Sequence, residues 1–433
     1  MSVTTLRPLL SDAVAYFAGR IVPALTGLLA VALLVRLLGT ERYGEYAVVV
    51  TVANLLASLG GGWFNQAILR FADPAPVLGF ASRLSTDALH LGFGCFFVLV
   101  GSGIVSLISK ILPSTPLPAS ALLLGAALAT AMLLYNAWLT RLQSALRSKE
   151  AMISEMVRGI LCVALPVIAA LISPLSGMAL AGISIAYLAA APIYQAIGRG
   201  SEQPAGGARA VATSTRERWI ILRRDLQYGW PLSAWLGISL AFPLVDRLAI
   251  SEALGIAQTG AYSAVYEIIV RGLALVFAPI VLAAHPRIMG LVNQGDDHGW
   301  RRALTAALAM QALLFIPVCI VAAVAADWAL PLALGTEASS PAMLATVWPL
   351  TFAAFLWQAA LLVHKPLEVQ KRTGWMLLAI SVALVIHVAA CRVLVPKLGA
   401  VGAAWSYILA ALAYILICAP TLLRRTVRSA TPA

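Results

Sequence analysis

Charge is scarce in this chain. Only 11% of its 433 residues are Asp, Glu, Lys or Arg, where a soluble domain carries roughly a quarter. Folded polar segments are short as well. The longest polar stretch, about 198–227, is rich in Gly, Ser, Thr and Arg and reads as a linker. Cysteine is limited to Cys95, Cys162, Cys319, Cys391 and Cys418, all in apolar runs and none in CxxC spacing. They read as small apolar fillers, with no metal site or disulfide framework expected. Catalytic signatures are missing too: there is no GxSxG, no HExxH, no GxxxxGK[ST] and no DxD. The expectation is a protein that is not an enzyme and carries no cofactor.

What the chain has is apolar length. Hydrophobic residues make up 61% of it. Runs such as 13–35, 90–108, 119–139, 305–326 and 373–395 recur from end to end. A bilayer core about 30 Å thick needs about 20 apolar residues per helical crossing. Crossings are expected near 12–35, 45–67, 87–109, 119–140, 153–172, 177–197, 228–250, 260–283, 303–326, 341–363, 374–395 and 399–420. The N-terminal stretch MSVTTLRPLLSDAVAYFAGR lacks a short apolar core followed by a cleavage site, so it reads as the start of an uncleaved first span.

The net charge of +12 does not point to nucleic acid. Lys and Arg gather in the cytoplasmic loops of polytopic proteins and set their orientation. With the spans above, 22 Lys and Arg fall on the side that holds both termini and 5 on the other. Arg20, Arg247 and Arg271 fall within spans. Both termini are therefore expected in the cytoplasm.

The halves resemble each other. LVRLLGTERYGEYAVVVTVANLL (Leu34–Leu56) and LVDRLAISEALGIAQTGAYSAVYEIIVRGL (Leu244–Leu273) share an apolar helix end, an Arg, a short loop and a Gly-x-Tyr, at Gly44 and Tyr46 and again at Gly260 and Tyr262. Near the end of each half, Pro174–Ala190 parallels Pro396–Ala411. The offsets of 216 and 222 are half the chain length. Six spans per half is an even number, so the repeats run parallel, about an axis along the membrane normal. The expected fold is all-α: about twelve transmembrane helices in two parallel six-helix bundles around a central cleft. The domains would be 1–200, a cytoplasmic linker at 201–227, and 228–433.

Ionisable residues inside spans are costly and usually face the protein interior or water. Arg20 and Arg271 lie in opposite halves and are candidates to hold an anionic, phosphate-bearing substrate, since Arg pairs bidentately with phosphate and stays charged. Glu267 sits one turn from Arg271 and could merely neutralise it. Glu267 and Asp246 are candidates for ion coupling. Arg247 reads as snorkelling to outer headgroups, and His387 as a packing residue. Amides and aromatics cluster at Trp63, Asn65 and Gln66, at Tyr135, Asn136 and Trp138, and at Trp357 and Gln358. Asn65 and Gln66 are candidate sugar contacts. Trp63 and Trp138 read either as sugar-facing or as interface anchors.

The stretch RIVPALTGLLAVALLVRLLGTERYGEYAVVVTVANLL (Arg20–Leu56) resembles the start of the bacterial polysaccharide-biosynthesis flippases, members of the multidrug/oligosaccharidyl-lipid/polysaccharide exporter superfamily. The resemblance continues in GWFNQAILRF (Gly62–Phe71), VDRLAI (Val245–Ile250) and GAYSAVYEI (Gly260–Ile268). It implies a flippase that carries an oligosaccharide on a polyprenyl pyrophosphate from the inner to the outer leaflet of the cytoplasmic membrane. It implies membrane lipids, a polysaccharide polymerase and glycosyltransferases as partners. Two other readings stand beside it: a multidrug or cation exporter of the same superfamily, and a membrane-embedded glycosyltransferase or polymerase. The exporter would need an acidic pocket free for cations. The enzyme would need a sizeable outer loop. The charge asymmetry makes a direct prediction: a reporter active only in the cytoplasm is active when fused after Ala433, and inactive when inserted at Lys110.

Overall fold

The computed structural model describes residues 3–71, 87–111, 119–145, 147–197, 215–370 and 372–420; side chains are described except at 3–20, 108–111, 119, 196–197 and 215. Among the described residues there are helices and turns and no strand. The helices are α1 (Val3–Phe71), α2 (Ala88–Ile111), α3 (Ala119–Ser144), α4 (Ser148–Ile172), α5 (Ser176–Ile197), α6 (Thr215–Leu254), α7 (Ile256–Asn293), α8 (Asp297–Leu334), α9 (Pro341–Leu344), α10 (Val347–Val363), α11 (Lys365–Val369), α12 (Thr373–Leu398) and α13 (Ala400–Cys418). In hydrocarbon every backbone polar group must find its partner inside the segment, and a helix does that locally.

Eleven of these segments are long and apolar enough to cross a membrane. The first, Ile21–Phe71, has 51 residues, which is about 77 Å of straight helix. Its backbone breaks at Gly39, where φ is +74° and ψ is 167°. A side chain would strain that conformation, and glycine allows it. The break makes two legs, so α1 supplies two crossings, and twelve result. A single residue does the work of the loop expected at 36–44, because the helix resumes at Thr40.

The chain divides into two compact units, Met1–Ser263 and Ala264–Ala433. The boundary falls inside α7. It also places α6, expected as the first span of the second bundle, in the first unit. α6 begins at Thr215, inside the stretch expected as a linker at 201–227. Leu222 and Asp225 are buried, while Arg216, Trp219 and Ile220 are exposed. Residues 201–214 lie outside the described residues.

In the first unit the second leg of α1 packs along α6 by removing side chains at the crossing. A Cβ on Gly229 would overlap the carbonyl of Trp63, and one on Gly62 would fall 2.8 Å from Ser233 Oγ. Ser233 donates to the Ser58 carbonyl at 2.8 Å. Small residues let backbones meet where lipid offers no hydrophobic drive. A second core lies on α3, α4 and α5, where Tyr135, Trp138, Leu142, Ala151, Ala190 and Tyr194 are buried together. In the second unit Leu273, Phe277, Ile288, Trp300, Leu304 and Leu362 form the core of α7, α8 and α10.

The glycines of the two Gly-x-Tyr motifs lie against each other. A Cβ on Gly260 would overlap the Thr40 carbonyl and approach Gly44 N to 2.8 Å; one on Gly44 would overlap the Ile256 carbonyl. A contact between equivalent positions is what a two-fold relation produces. Overpacking a closed contact costs about 1–3 kcal/mol. Gly260→Ala is therefore expected to lower the thermal unfolding temperature of the purified protein. Gly92→Ala, where nothing lies within 4 Å, is expected not to.

Candidate functional site

Intramembrane charge is the chemistry to explain, and the structure sorts it into buried pairs and exposed ones. In the first unit Arg158 is the centre of a closed cluster. Its Nε and Nη2 donate to Glu155 Oε1 and Oε2 at 2.9 and 2.8 Å. Its Nη1 donates to Tyr187 Oη at 3.3 Å. The guanidinium stands 5.6 Å from the Tyr135 ring centre and 5.3 Å from that of Tyr187. Tyr135 donates to Glu155 Oε1 at 2.9 Å and sits 3.0 Å from Ser154 Oγ. The spacing puts Glu155 and Arg158 on one face of α4, one turn apart. Sequence reasoning placed Arg158 just inside the span at 153–172 but counted it with the cations on the side of the termini. The helix starts at Ser148, which draws Arg158 into the bundle with its side chain 17% exposed. The Glu-x-x-Arg spacing in an apolar run was the available signal.

A second cluster lies at the end of the bundle where α1, α2, α3 and α6 meet. Arg141 makes a bidentate pair with Asp87, at 3.1 and 2.7 Å. His90 Nε2 lies 3.2 Å from Asp225 Oδ2, and Arg224 donates to Asp225 Oδ1. The His90 ring stacks on Phe64 at 4.6 Å and on Trp63 at 5.9 Å. Trp63 is fully buried, and its indole donates to the Gly60 carbonyl at 2.7 Å. Trp138 is also buried. Neither indole is an interface anchor, since an anchor must reach the headgroups.

Asp246 and Arg247 lie in a third cluster. Tyr262 donates to Asp246 Oδ2 at 2.9 Å. Arg247 Nε donates to Ser263 Oγ at 2.9 Å, and its Nη1 bonds Thr51. The side chain of Arg247 does not snorkel. The residue is 3% exposed, held by hydroxyls from the second leg of α1 and the start of α7. Thr51 is 196 residues away in sequence, and no local pattern could announce that partner.

Arg271 differs from these. It lies fifteen residues into α7, about 22 Å from the helix start. It pairs with Glu267, and yet its side chain is 48% exposed while that of Glu267 is 15% exposed. Its side chain is more exposed than those of Arg141, at 19%, and Arg158, at 17%, and Arg247 as a residue is 3% exposed. Asn65 and Gln66 are half-buried on α1, and the Oδ1 of Asn65 is a buried acceptor with no hydrogen-bond partner among the described residues. The backbone of Arg20 lies in α1, but its side chain lies outside the described residues. His387 is fully buried on α12, next to Cys391 at 3.9 Å.

Solved structures of membrane transporters share this fold. The solved structure of the lipid II flippase MurJ in an inward closed conformation matches over 96% of this chain and 88% of its own, with 12% identity and a TM-score of 0.66. The eukaryotic MATE transporter AtDTX14 matches over 96% and 98%, with 14% identity and a TM-score of 0.61. An inward-facing multidrug resistance MATE family transporter of the MOP superfamily matches over 94% and 96%, with 13% identity and a TM-score of 0.61. No curated protein matches the sequence. The family model described as polysaccharide biosynthesis protein matches residues 9–292. The chain belongs to that family, and eleven of its described helices are long and apolar enough to cross a membrane.

The closed cluster yields its own test. Removing one partner of a buried pair strands the other and costs about 3 kcal/mol or more, whereas replacing both by apolar residues is often neutral. Arg158→Ala is expected to lower the unfolding temperature in detergent. The double variant Arg158→Met with Glu155→Leu is expected to recover most of that loss.

Proposed function

We propose that this protein carries a polyprenyl-pyrophosphate-linked oligosaccharide from the inner to the outer leaflet of the bacterial cytoplasmic membrane, as a step of polysaccharide biosynthesis. Family membership supports a role with polysaccharide, and the fold of a lipid II flippase supports a lipid-linked cargo. The observation that carries the reading is Arg271. An arginine side chain half exposed at that depth would cost about 2.5–3.5 kcal/mol against acyl chains on insertion scales. Against water and an anionic headgroup it is stabilised instead.

In this reading Arg271 and Arg20 hold the pyrophosphate, and Asn65 and Gln66 meet the sugars. Transport proceeds by alternating access to the two leaflets, while the polyprenyl tail stays in the bilayer. Glu267 tethers Arg271, and loading of the pyrophosphate would loosen that tether, giving cargo and conformation a physical link. Asp246 remains the second candidate for ion coupling. Both termini face the cytoplasm, where glycosyltransferases assemble the cargo, and a polymerase receives it outside. The exporter alternative is weaker on the described residues, because Glu267 and Asp246 are both engaged, with Arg271 and with Tyr262.

The test is genetic and chemical together. Loss of the gene is expected to abolish the surface polysaccharide and to accumulate lipid-linked sugar on the inner leaflet. Arg271→Ala and Arg20→Ala should each reduce complementation at least tenfold, with membrane levels unchanged. Accumulation of sugar-free carrier would favour an enzyme, and loss of drug resistance alone a multidrug exporter. Full complementation by both variants would remove the site assignment.

A further inference from the structure

The second unit holds a cavity that the transport reading does not use. It lies between α7 and α8, has a volume of about 530 Å³, and is lined by Arg287 and Arg302 together with small or apolar residues. Neither guanidinium has an ion-pair or hydrogen-bond partner among the described residues. The neighbouring acids are occupied. Asp296 caps α8 by accepting from Gly299 N at 2.7 Å, and Asp297 accepts from the Trp300 indole at 3.3 Å. Glu368, which reaches α7 through His285 at 3.5 Å, is also held by His364 at 3.0 Å and by Lys365 at 2.8 Å.

The lining is graded along the membrane normal. Arg287 stands six residues before the end of α7, and Arg302 five residues after the start of α8. Both are thus about 8–9 Å from the helix ends, at headgroup depth. Ile280 and Met310 line the deep end, about 10–12 Å further toward the membrane centre. Between them the walls are alanines, including Ala283, Ala303 and Ala306. Bulky side chains would fill this space, and alanine leaves it open. Two cations at the mouth and an apolar slot beneath them match one kind of molecule. It has an anionic headgroup and an acyl chain, and it enters sideways from the leaflet.

We propose that this crevice binds an anionic phospholipid, its phosphate between Arg287 and Arg302 and one acyl chain along the alanine wall. Basic recesses between membrane helices near the headgroup level are suited to such lipids. The site lies wholly within the second unit and does not involve Arg271, so it stands or falls independently of the cargo.

The test is native mass spectrometry of the full chain released from nanodiscs that contain phosphatidylglycerol and phosphatidylcholine in equal amounts. The wild-type protein is expected to retain phosphatidylglycerol selectively. Arg287→Ala or Arg302→Ala should weaken that retention about fivefold, and the double variant about thirtyfold. Ala306→Trp keeps both cations but fills the slot, and should also lose the lipid, which separates a seated lipid from general surface attraction. Equal retention of the two lipids by the wild type would overturn the proposal. So would unchanged retention in the double variant or in Ala306→Trp. Displacement of phosphatidylglycerol by a polyprenyl pyrophosphate at equimolar concentration would overturn it too, since the crevice would then belong to the cargo.

Discussion

An ion in hydrocarbon has no partner except what the protein brings, and this constraint organises the molecule. Spans with few charges can pack through small residues alone. Each charge that remains must be neutralised by an acid, bonded by hydroxyls, or kept near water. The first two solutions hold Arg158, against Glu155 and two tyrosine rings, and Arg247, against Thr51 and Ser263. They rigidify their surroundings, since a fully bonded polar cluster in a low-dielectric interior is costly to open. Arg271 is different, since its carboxylate partner leaves its side chain 48% exposed, and the proposed function assigns it the third solution.

The Arg158 cluster ties α3, α4 and α5 into one piece, and the Gly44–Gly260 contact brings two helix starts within backbone distance. The first is a hydrogen-bonded cluster with Arg158 and Glu155 17% and 20% exposed, and the second a backbone contact. Arg271 and the Arg287–Arg302 crevice are open, and they sit at different depths. One lies in mid-span and one at headgroup level, so an anion held at one would not compete with an anion held at the other by simple overlap.

Much of the fold was legible in the amino-acid order, because hydropathy reports the same transfer free energy that holds helices in a bilayer. The crossings, the Gly-x-Tyr pair and the presence of charge in mid-span could all be read from it. What could not be read has physical causes. α6 continues back to Thr215 through charged residues such as Arg216, Arg223 and Arg224, which a hydropathy run does not report. Arg247 pairs with a residue on another helix 196 positions away. Arg158 was read as just inside its span and counted with the cations on the side of the termini, whereas α4 starts five residues earlier and sets it deeper. At the edge of a span, one turn decides whether a cation counts as a loop charge or an intramembrane one.

The account rests on anion recognition at Arg271 during transport of a lipid-linked sugar. The most direct measurement is leaflet exchange in proteoliposomes loaded with a fluorescent polyprenyl-pyrophosphate oligosaccharide, followed by quenching of the outer leaflet. The protein is predicted to accelerate exchange of this lipid over protein-free vesicles, and to leave the matching polyprenyl oligosaccharide without pyrophosphate near the protein-free rate. Equal acceleration of both lipids, or the same discrimination after Arg271→Ala, would contradict it.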